Sequence, residues 1–405
     1  MQPILPVPAG SILDLVARTW AANQIAAFRV RSTVRIGSAT LLPVAIDNGN
    51  DALKGAVLRR DPALPDGEGV RSLLTTIRVP TAFALAQTIQ GYQEVTYACD
   101  GLSFWTGEAA LAHGGDALRL GPTVQRLDDA RQRSFIGAGI VELLRAAGYA
   151  PGEHQIALTL AVPNTEIVIE RDEKGVEQLT LDGRTRESLA RHLKGTTWTI
   201  ARTDDAQQPE TWVIKVATVL PQAQTAGTVV ALTRAPNGKL VSDIAGLRVI
   251  DIGGGDLHVR EVTFNPAQMI NRRPGDGTIR IARALRTDRA FASVIRNDVE
   301  AQQALVRQTV MRASRSVSIT AEVQQAVASK GNAMVADVLA ELRDSTHFVA
   351  ITGGGVLLLR PLLADVLAHE AKEPGHDCLL VDGPLASHLN AIGVLFGLMF
   401  RAAGK

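Results

Sequence analysis

Two aspartates stand at the ends of apolar stretches, just ahead of glycine turns. Asp47 lies in Val44-Ala-Ile-Asp-Asn-Gly-Asn50, and Asp251 in Val249-Ile-Asp-Ile-Gly-Gly-Gly-Asp256. A third loop, Thr352-Gly-Gly-Gly355, follows the apolar run Phe348–Ile351 and opens a helical segment. Glycines in a tight hairpin bring backbone N–H groups close to phosphate oxygens, because no Cβ stands in the way. An aspartate at each hairpin can hold hydrated Mg²⁺ between them, since that ion keeps its waters and takes few protein ligands. The amide-rich start of a helix after the third loop can lie against a nucleotide. Any one of these loops could be a plain turn or a capping loop. All three, in this order on two halves of one chain, read as a nucleotide-phosphate site.

The elements that must position these residues are legible as strands and helices. Leu42–Ile46 reads as a short apolar strand, Leu247–Ile252 as a second of its kind and Phe348–Ile351 as a third buried one, while Ile156–Val162 has the apolar pattern of a strand covered on both faces. Ala52–Leu58 and Leu257–Phe264 read as returning strands of hairpins, and Thr211–Leu220 as a strand ending at Pro221-Gln222. Ser134–Ala147, Leu357–Glu370 and Ala386–Phe400 read as helices, and residues 278–345, poor in Gly and Pro, as mainly helical. Gly275-Asp276-Gly277 reads as a turn. Near the N-terminus Ser11 is a candidate N-cap for a helix from Ile12 to about Phe28, with Ile12, Leu13, Val16 and Trp20 on one face. Residues 1–40 stand apart as an extension.

Composition bounds the class. The chain has 405 residues, with 46% hydrophobic and 20% charged, as in globular proteins. Lys+Arg total 42 against 41 for Asp+Glu, a net charge of +1, which argues against nucleic-acid binding across a broad basic face and leaves room for a small basic patch. Direct nucleic-acid binding is therefore not expected. Cys99 and Cys378 have neither metal-ligand spacing nor a disulfide framework and read as buried or half-buried thiols. The longest apolar run, Ile392–Phe400, is too short to span a bilayer. No signal peptide is read at the N-terminus, so a cytoplasmic location is expected.

The three loops together resemble those of the actin-like ATPase superfamily, which includes actin, Hsp70 and the sugar kinases. The likeness is closest to the ParM/StbA type of plasmid-segregation actins. Val44 to Lys54 looks like the family's first phosphate motif, Val249 to Asp256 like the second, and Ile351 to Val356 like the adenosine motif. Leu158-Thr-Leu-Ala-Val-Pro163, His192-Leu-Lys-Gly195, Leu220-Pro-Gln-Ala-Gln-Thr-Ala-Gly227, Val381-Asp-Gly-Pro384 and Asn390-Ala-Ile-Gly393 favour the ParM type. The resemblance implies an α/β fold of two RNase H-like (actin-like) domains flanking a nucleotide cleft. The first covers 41–228, with the C-terminal helix 386–402 packing back on it, and the second covers 229–385. It also implies ATP, or GTP in its place, bound with Mg²⁺. Asp47 and Asp251 would lie near the metal. Asn48, Gly49, Asn50, Lys54, Gly253, Gly254 and Gly255 would surround the phosphates, and Gly353, Gly354 and Gly355 the adenosine. Asp251 and Gln222 would be the catalytic pair, with Gln222 placing the attacking water and Gln224 the occupant of that role in a register shifted by two. Slow hydrolysis would be coupled to self-assembly into filaments for DNA segregation, through a DNA-binding adaptor, or for a cytoskeleton.

Three features depart from the family pattern: the N-terminal extension, Asp256 where threonine is common, and a longer segment around Asn237-Gly238. An acid at position 256 would repel a γ-phosphate unless Mg²⁺ or Arg260 compensates. Arg280, Arg283 and Glu300 are candidates for the purine. The rival readings are a non-polymerising nucleotide-binding scaffold and a small-molecule kinase of the same superfamily, for which Asp100 and Asp128 are the nominal catalytic carboxylates.

Overall fold

The computed structural model describes residues 7–22, 24–63, 70–86, 94–113, 116–118, 122–171, 177–204, 208–241, 244–264, 267–313, 315–370, 378–381 and 383–404. The chain forms two compact units. The larger comprises Gly10–Asn48, Ala52–Leu240 and Asn390–Lys405, and the smaller is built on Val241–Leu389 with the short segment Gly49–Asp51.

The larger unit is organised on a mixed sheet. Its central order is Ser72–Pro80, Ala52–Arg60, Ala39–Asn48, Gly152–Val162, Glu210–Val219, Thr197–Thr203. Ala39–Asn48 and Gly152–Val162 run parallel, as do Gly152–Val162 and Glu210–Val219, while Ala39–Asn48, Ala52–Arg60 and Ser72–Pro80 form an antiparallel meander. Val44, Ala45 and Ile46 are fully buried, as a strand between two layers must be. The helix Ala130–Ala146 covers one face, where Phe135, Ile140 and Leu143 join a core with Val44, Leu53, Leu158 and Trp212. A second core forms where Leu398 meets Leu41 and Ala157.

The smaller unit repeats the plan at lower strand count. Its sheet runs Ala267–Asp276, Asp256–Phe264, Gly246–Ile252, Phe348–Thr352, Cys378–Leu380. The first two pairings are antiparallel and the last two parallel. In each unit, then, an antiparallel three-strand meander is followed by two strands parallel to its first strand. Asp47 and Asp251 occupy the same place in the two plans, near the end of the meander's first strand. Lys54 lies opposite Asp47 in the ladder, and His258 lies opposite Asp251.

Several local expectations are revised. The first helix ends at Ala21, not near Phe28, and Ala27–Phe28 instead pairs as a strand with Ser72 and Leu73. The helical stripe stops at Trp20, and Phe28 finds its partner in the ring of Phe396, 5.0 Å away. Ser11 does cap the helix, its Oγ accepting from the Asp14 amide at 3.1 Å. Residues from Gly10 onward are part of the larger unit, with Ile12, Leu13 and Val16 buried. Among the described residues the larger unit's sheet has 13 strands and the smaller unit's has five. Gly275 and Asp276 end a strand, where a turn was expected. The stretch 278–345, expected to be mainly helical, contains the hairpin Thr309–Arg312 and Arg315–Ser318.

Both cysteines are free and buried, and burial pushes the Cys99 thiol up to about 11. The helix Gly383–Ala402 is long and apolar enough to cross a membrane, but it is 83% buried in the protein over the relevant window.

Candidate functional site

In the smaller unit, strand Gly246–Ile252 delivers Asp251 to the mouth of the glycine loop. The Gly253 amide donates to the Asp256 carbonyl at 2.9 Å and closes the turn. The three loop carbonyls are all engaged from one side. Gly253, Gly254 and Gly255 accept from the amides of Thr278, Ile279 and Gly277 at 3.0, 2.7 and 2.9 Å, at the start of the helix Ile279–Thr287. The Gln302 side-chain amide adds a second donor to the Gly254 carbonyl at 3.2 Å. With the carbonyls fixed toward that helix, the amides of Gly254 and Gly255 make no hydrogen bond among the described residues. A pair of amides spared in this way is an anion-receptive feature.

The third loop lies against Asp251. Asp251 and Thr352 are register partners, and Gly353 has φ +98. A Cβ at Gly353 would stand 2.2 Å from Asp251 Oδ1, and one at Gly355 would stand 2.5 Å from Ile252 Cγ2. Only glycine satisfies both the positive φ and the contact at position 353. The Gly353 amide and Thr352 Oγ1 both donate to the Ala386 carbonyl, at 3.3 and 3.1 Å. The helix Gly355–Glu370 then begins, with its free N-terminal amides, two residues after Gly353. The segment Gly49–Asp51 completes this cluster. Asn50 Nδ2 lies 2.0 Å from where a Cβ on Gly255 would be, and Asp51 Cβ lies 2.8 Å from that of Gly254. Gly49, Asn50, Asp251, Gly253, Gly254, Gly255, Gly353, Gly354 and Gly355 are thus brought together in one unit.

Asp47, Asn48, Lys54 and Gln222 belong to the larger unit. Asp47 and Gln222 flank Ala161 in the parallel register, so both sit at the same level of the sheet's carboxyl edge. Asp47 and Asn48 are buried, and each keeps a buried Oδ1 with no hydrogen-bond partner. A carboxylate oxygen left in that state costs free energy until a cation or donor reaches it. Lys54 is buried beside it in the ladder. Gln222 is different: its amide nitrogen donates to Thr159 Oγ1 at 3.1 Å and to the Val394 carbonyl at 2.7 Å. Both amide hydrogens are spent inside the unit. Gln224, two residues on, is half-buried and precedes Thr225, which holds φ 69.

Sequence reasoning missed Arg126, Gln302 and His258. The short helix Thr123–Asp128 carries Arg126 to the Asn48 carbonyl, and no local pattern marks a lone arginine there. Of the purine candidates, Arg283 pairs with Asp298 at 3.0 Å, Arg280 lies 3.7 Å from Asp337, and Glu300 holds Arg296. Arg260, expected to offset Asp256, is buried and donates to Asn271 Oδ1 at 2.8 Å, with burial pushing its guanidinium down to about 10. Among the described residues, no cluster of three or more His, Cys, Asp or Glu could hold a metal ion by itself.

No family model matches the chain, and no curated protein matches it. Solved structures do. The archaeal actin homologue Ta0583 is 17% identical, with a TM-score of 0.59 over 88% of this chain and 99% of that one. A Bacillus thuringiensis ParM with ATP is 13% identical, with a TM-score of 0.57 over 90% of this chain and 100% of that one. The subunit of a 15-stranded ParM filament from Clostridium botulinum is 14% identical, with a TM-score of 0.56 over 87% and 98%. The chain therefore has the actin-like α/β fold.

Proposed function

We propose that this chain is an actin-like ATPase that binds ATP with Mg²⁺, hydrolyses it slowly and assembles into filaments. The observation that carries the reading is the glycine loop 253–255, whose carbonyls are held by residues 277–279 while the Gly254 and Gly255 amides remain open beside Asp251. Those amides suit phosphate oxygens, and the start of the helix Gly355–Glu370 suits the ribose side of a nucleotide. Asp251 is assigned to a hydrated Mg²⁺, which needs few protein ligands and neutralises phosphate charge when bound; in the larger unit, the unpartnered buried oxygen of Asp47 is likewise suited to a cation. Asn48, Asn50 and Lys54 are assigned to phosphate in the same proposal. The water-positioning role is assigned to Gln222 or, in the register shifted by two, to Gln224; that both Gln222 amide hydrogens are already used favours Gln224. A neutral amide orients water but is a poor base, so turnover is slow. GTP in place of ATP is tested in the same assay.

Support for nucleotide and assembly comes from the similar structures, one a ParM with ATP and one a ParM filament. Head-to-tail contacts that do not close a ring give open filaments. A cytoplasmic segregation or cytoskeletal role, with a DNA-binding adaptor as partner, completes the proposal.

The test is right-angle light scattering of the purified chain with and without Mg-ATP, alongside Asp251→Ala. The expected result is a nucleotide-dependent rise that decays as ATP is consumed and is absent in the variant. Binding of ATP by calorimetry without any rise would overturn the filament reading in favour of a nucleotide-binding scaffold. Absence of binding would overturn the nucleotide site itself.

A further inference from the structure

The hairpin Thr309–Arg312 with Arg315–Ser318 is not explained by the nucleotide site. It pairs with no other strand, forming a two-stranded sheet by itself. Residues 311–313 and 315–318 are all exposed, and only Val310 and Ile319 at its base are buried. A two-stranded ribbon of this kind is marginal in water without a covering surface. Its register makes matters worse, because Arg312 lies directly opposite Arg315. Like charges on opposed positions destabilise a ribbon. Neither arginine forms an ion pair among the described residues, and no Asp or Glu occurs between Glu300 and Glu322. Two arginines are thus projected from one end of an unsupported ribbon, in a stretch without compensating acid.

We propose that this ribbon is a contact for the phosphate backbone of duplex DNA. Directly opposed residues share a face, so Arg312 and Arg315 stand together with Val317, while Thr309, Met311, Ser316 and Ser318 share the other. Arginines on one face and hydroxyls on the other are donors suited to phosphate oxygens, and a two-stranded ribbon fits a DNA groove. Met311, 63% exposed, lies one pair below the arginines on the hydroxyl face and is an apolar side chain of the kind set against base steps. A lipid surface is a poorer fit: residues 306–318 contain no aromatic residue and no lysine. The contact is local, so it is compatible with the net charge of +1. It does not depend on the nucleotide reading.

The experiment is fluorescence anisotropy of a labelled 20-base-pair duplex titrated with the full chain, without nucleotide. Affinity should fall in the range on the order of 10⁻⁴ to 10⁻⁶ M and weaken roughly tenfold between 50 and 200 mM salt, as two neutralised phosphates require. Arg312→Gln with Arg315→Gln should lose at least tenfold at 50 mM salt, with an unchanged melting temperature. Arg312→Lys with Arg315→Lys should retain most of the binding. Duplex binding equal in the Gln variant and the parent chain would overturn the proposal. So would no binding at 100 µM protein, whether or not the chain is retained by vesicles rich in anionic lipid, or sediments as a dimer that the Gln variant disrupts.

Discussion

Asp251 is fixed from three sides: by its own strand, by Thr352 beside it in the parallel register, and by Gly353 packed onto its carboxylate. The two glutamines of Leu220–Gly227 are a contrast in how tertiary contacts divide labour between similar side chains. Gln222 holds the Val394 carbonyl and Thr159, so Gln222→Ala should destabilise the larger unit by about 1–3 kcal/mol through the buried groups it leaves unpaired. Urea denaturation would measure it. Gln224→Ala should leave both stability and ATP affinity within twofold and slow phosphate release at least tenfold. Equal turnover in the Gln224 variant and a lost turnover in the Gln222 variant would return the role to Gln222. The aspartates, the glycine triplets and the choice between these two glutamines were all present in the sequence. The choice could not be made there, because it rests on Gln222 reaching the Val394 carbonyl far along the chain.

At the scale of elements, two helices meet with almost no separation. In the larger unit, Ala226–Thr233 crosses the second half of Gly383–Ala402 where a Cβ on Gly393 would stand 1.7 Å from the Gly227 carbonyl oxygen. A Cβ on Gly227 would stand 2.0 Å from the Asn390 carbonyl. Backbone cannot yield as a flexible side chain does, so Gly393→Ala should cost about 3 kcal/mol or more. The denaturation midpoint would report it, and a change below about 0.5 kcal/mol would mean that the helices separate freely. Most strands and helices were legible from apolar runs and caps, among them Ser11, whose oxygen meets the Asp14 amide. The strand Ala27–Phe28 and the ribbon 309–318 were not. A two-residue strand has no periodicity, and an exposed ribbon of Arg, Ser and Thr lacks the apolar alternation by which strands are recognised.

For the whole molecule, the repeated plan of a meander followed by two parallel strands places Asp47 and Asp251 at equivalent strand ends in the two units. Ligands of open α/β sheets bind outside the carboxyl ends of their strands. Binding to the native state alone stabilises it by mass action, about 2.7 kcal/mol at a hundredfold excess over Kd. Mg-ATP should accordingly raise the melting temperature of the parent chain by several degrees. The shift should shrink in EDTA and vanish in Asp251→Ala. A shift of the same size in that variant would exclude Asp251 from the site.

The sequence by itself determined the α/β class, the three glycine loops and the two aspartates, because these follow from short-range patterns of apolar runs and turn residues. Tertiary structure decided which amides remain open. That depends on residues 277–279 reaching the carbonyls of residues 253–255 across a strand hairpin. It also decided that Gln222 is tied to a carbonyl far along the chain, at Val394, and that Arg126 reaches Asn48. Such contacts join segments distant in sequence, and no local pattern of residue types encodes which of them will meet.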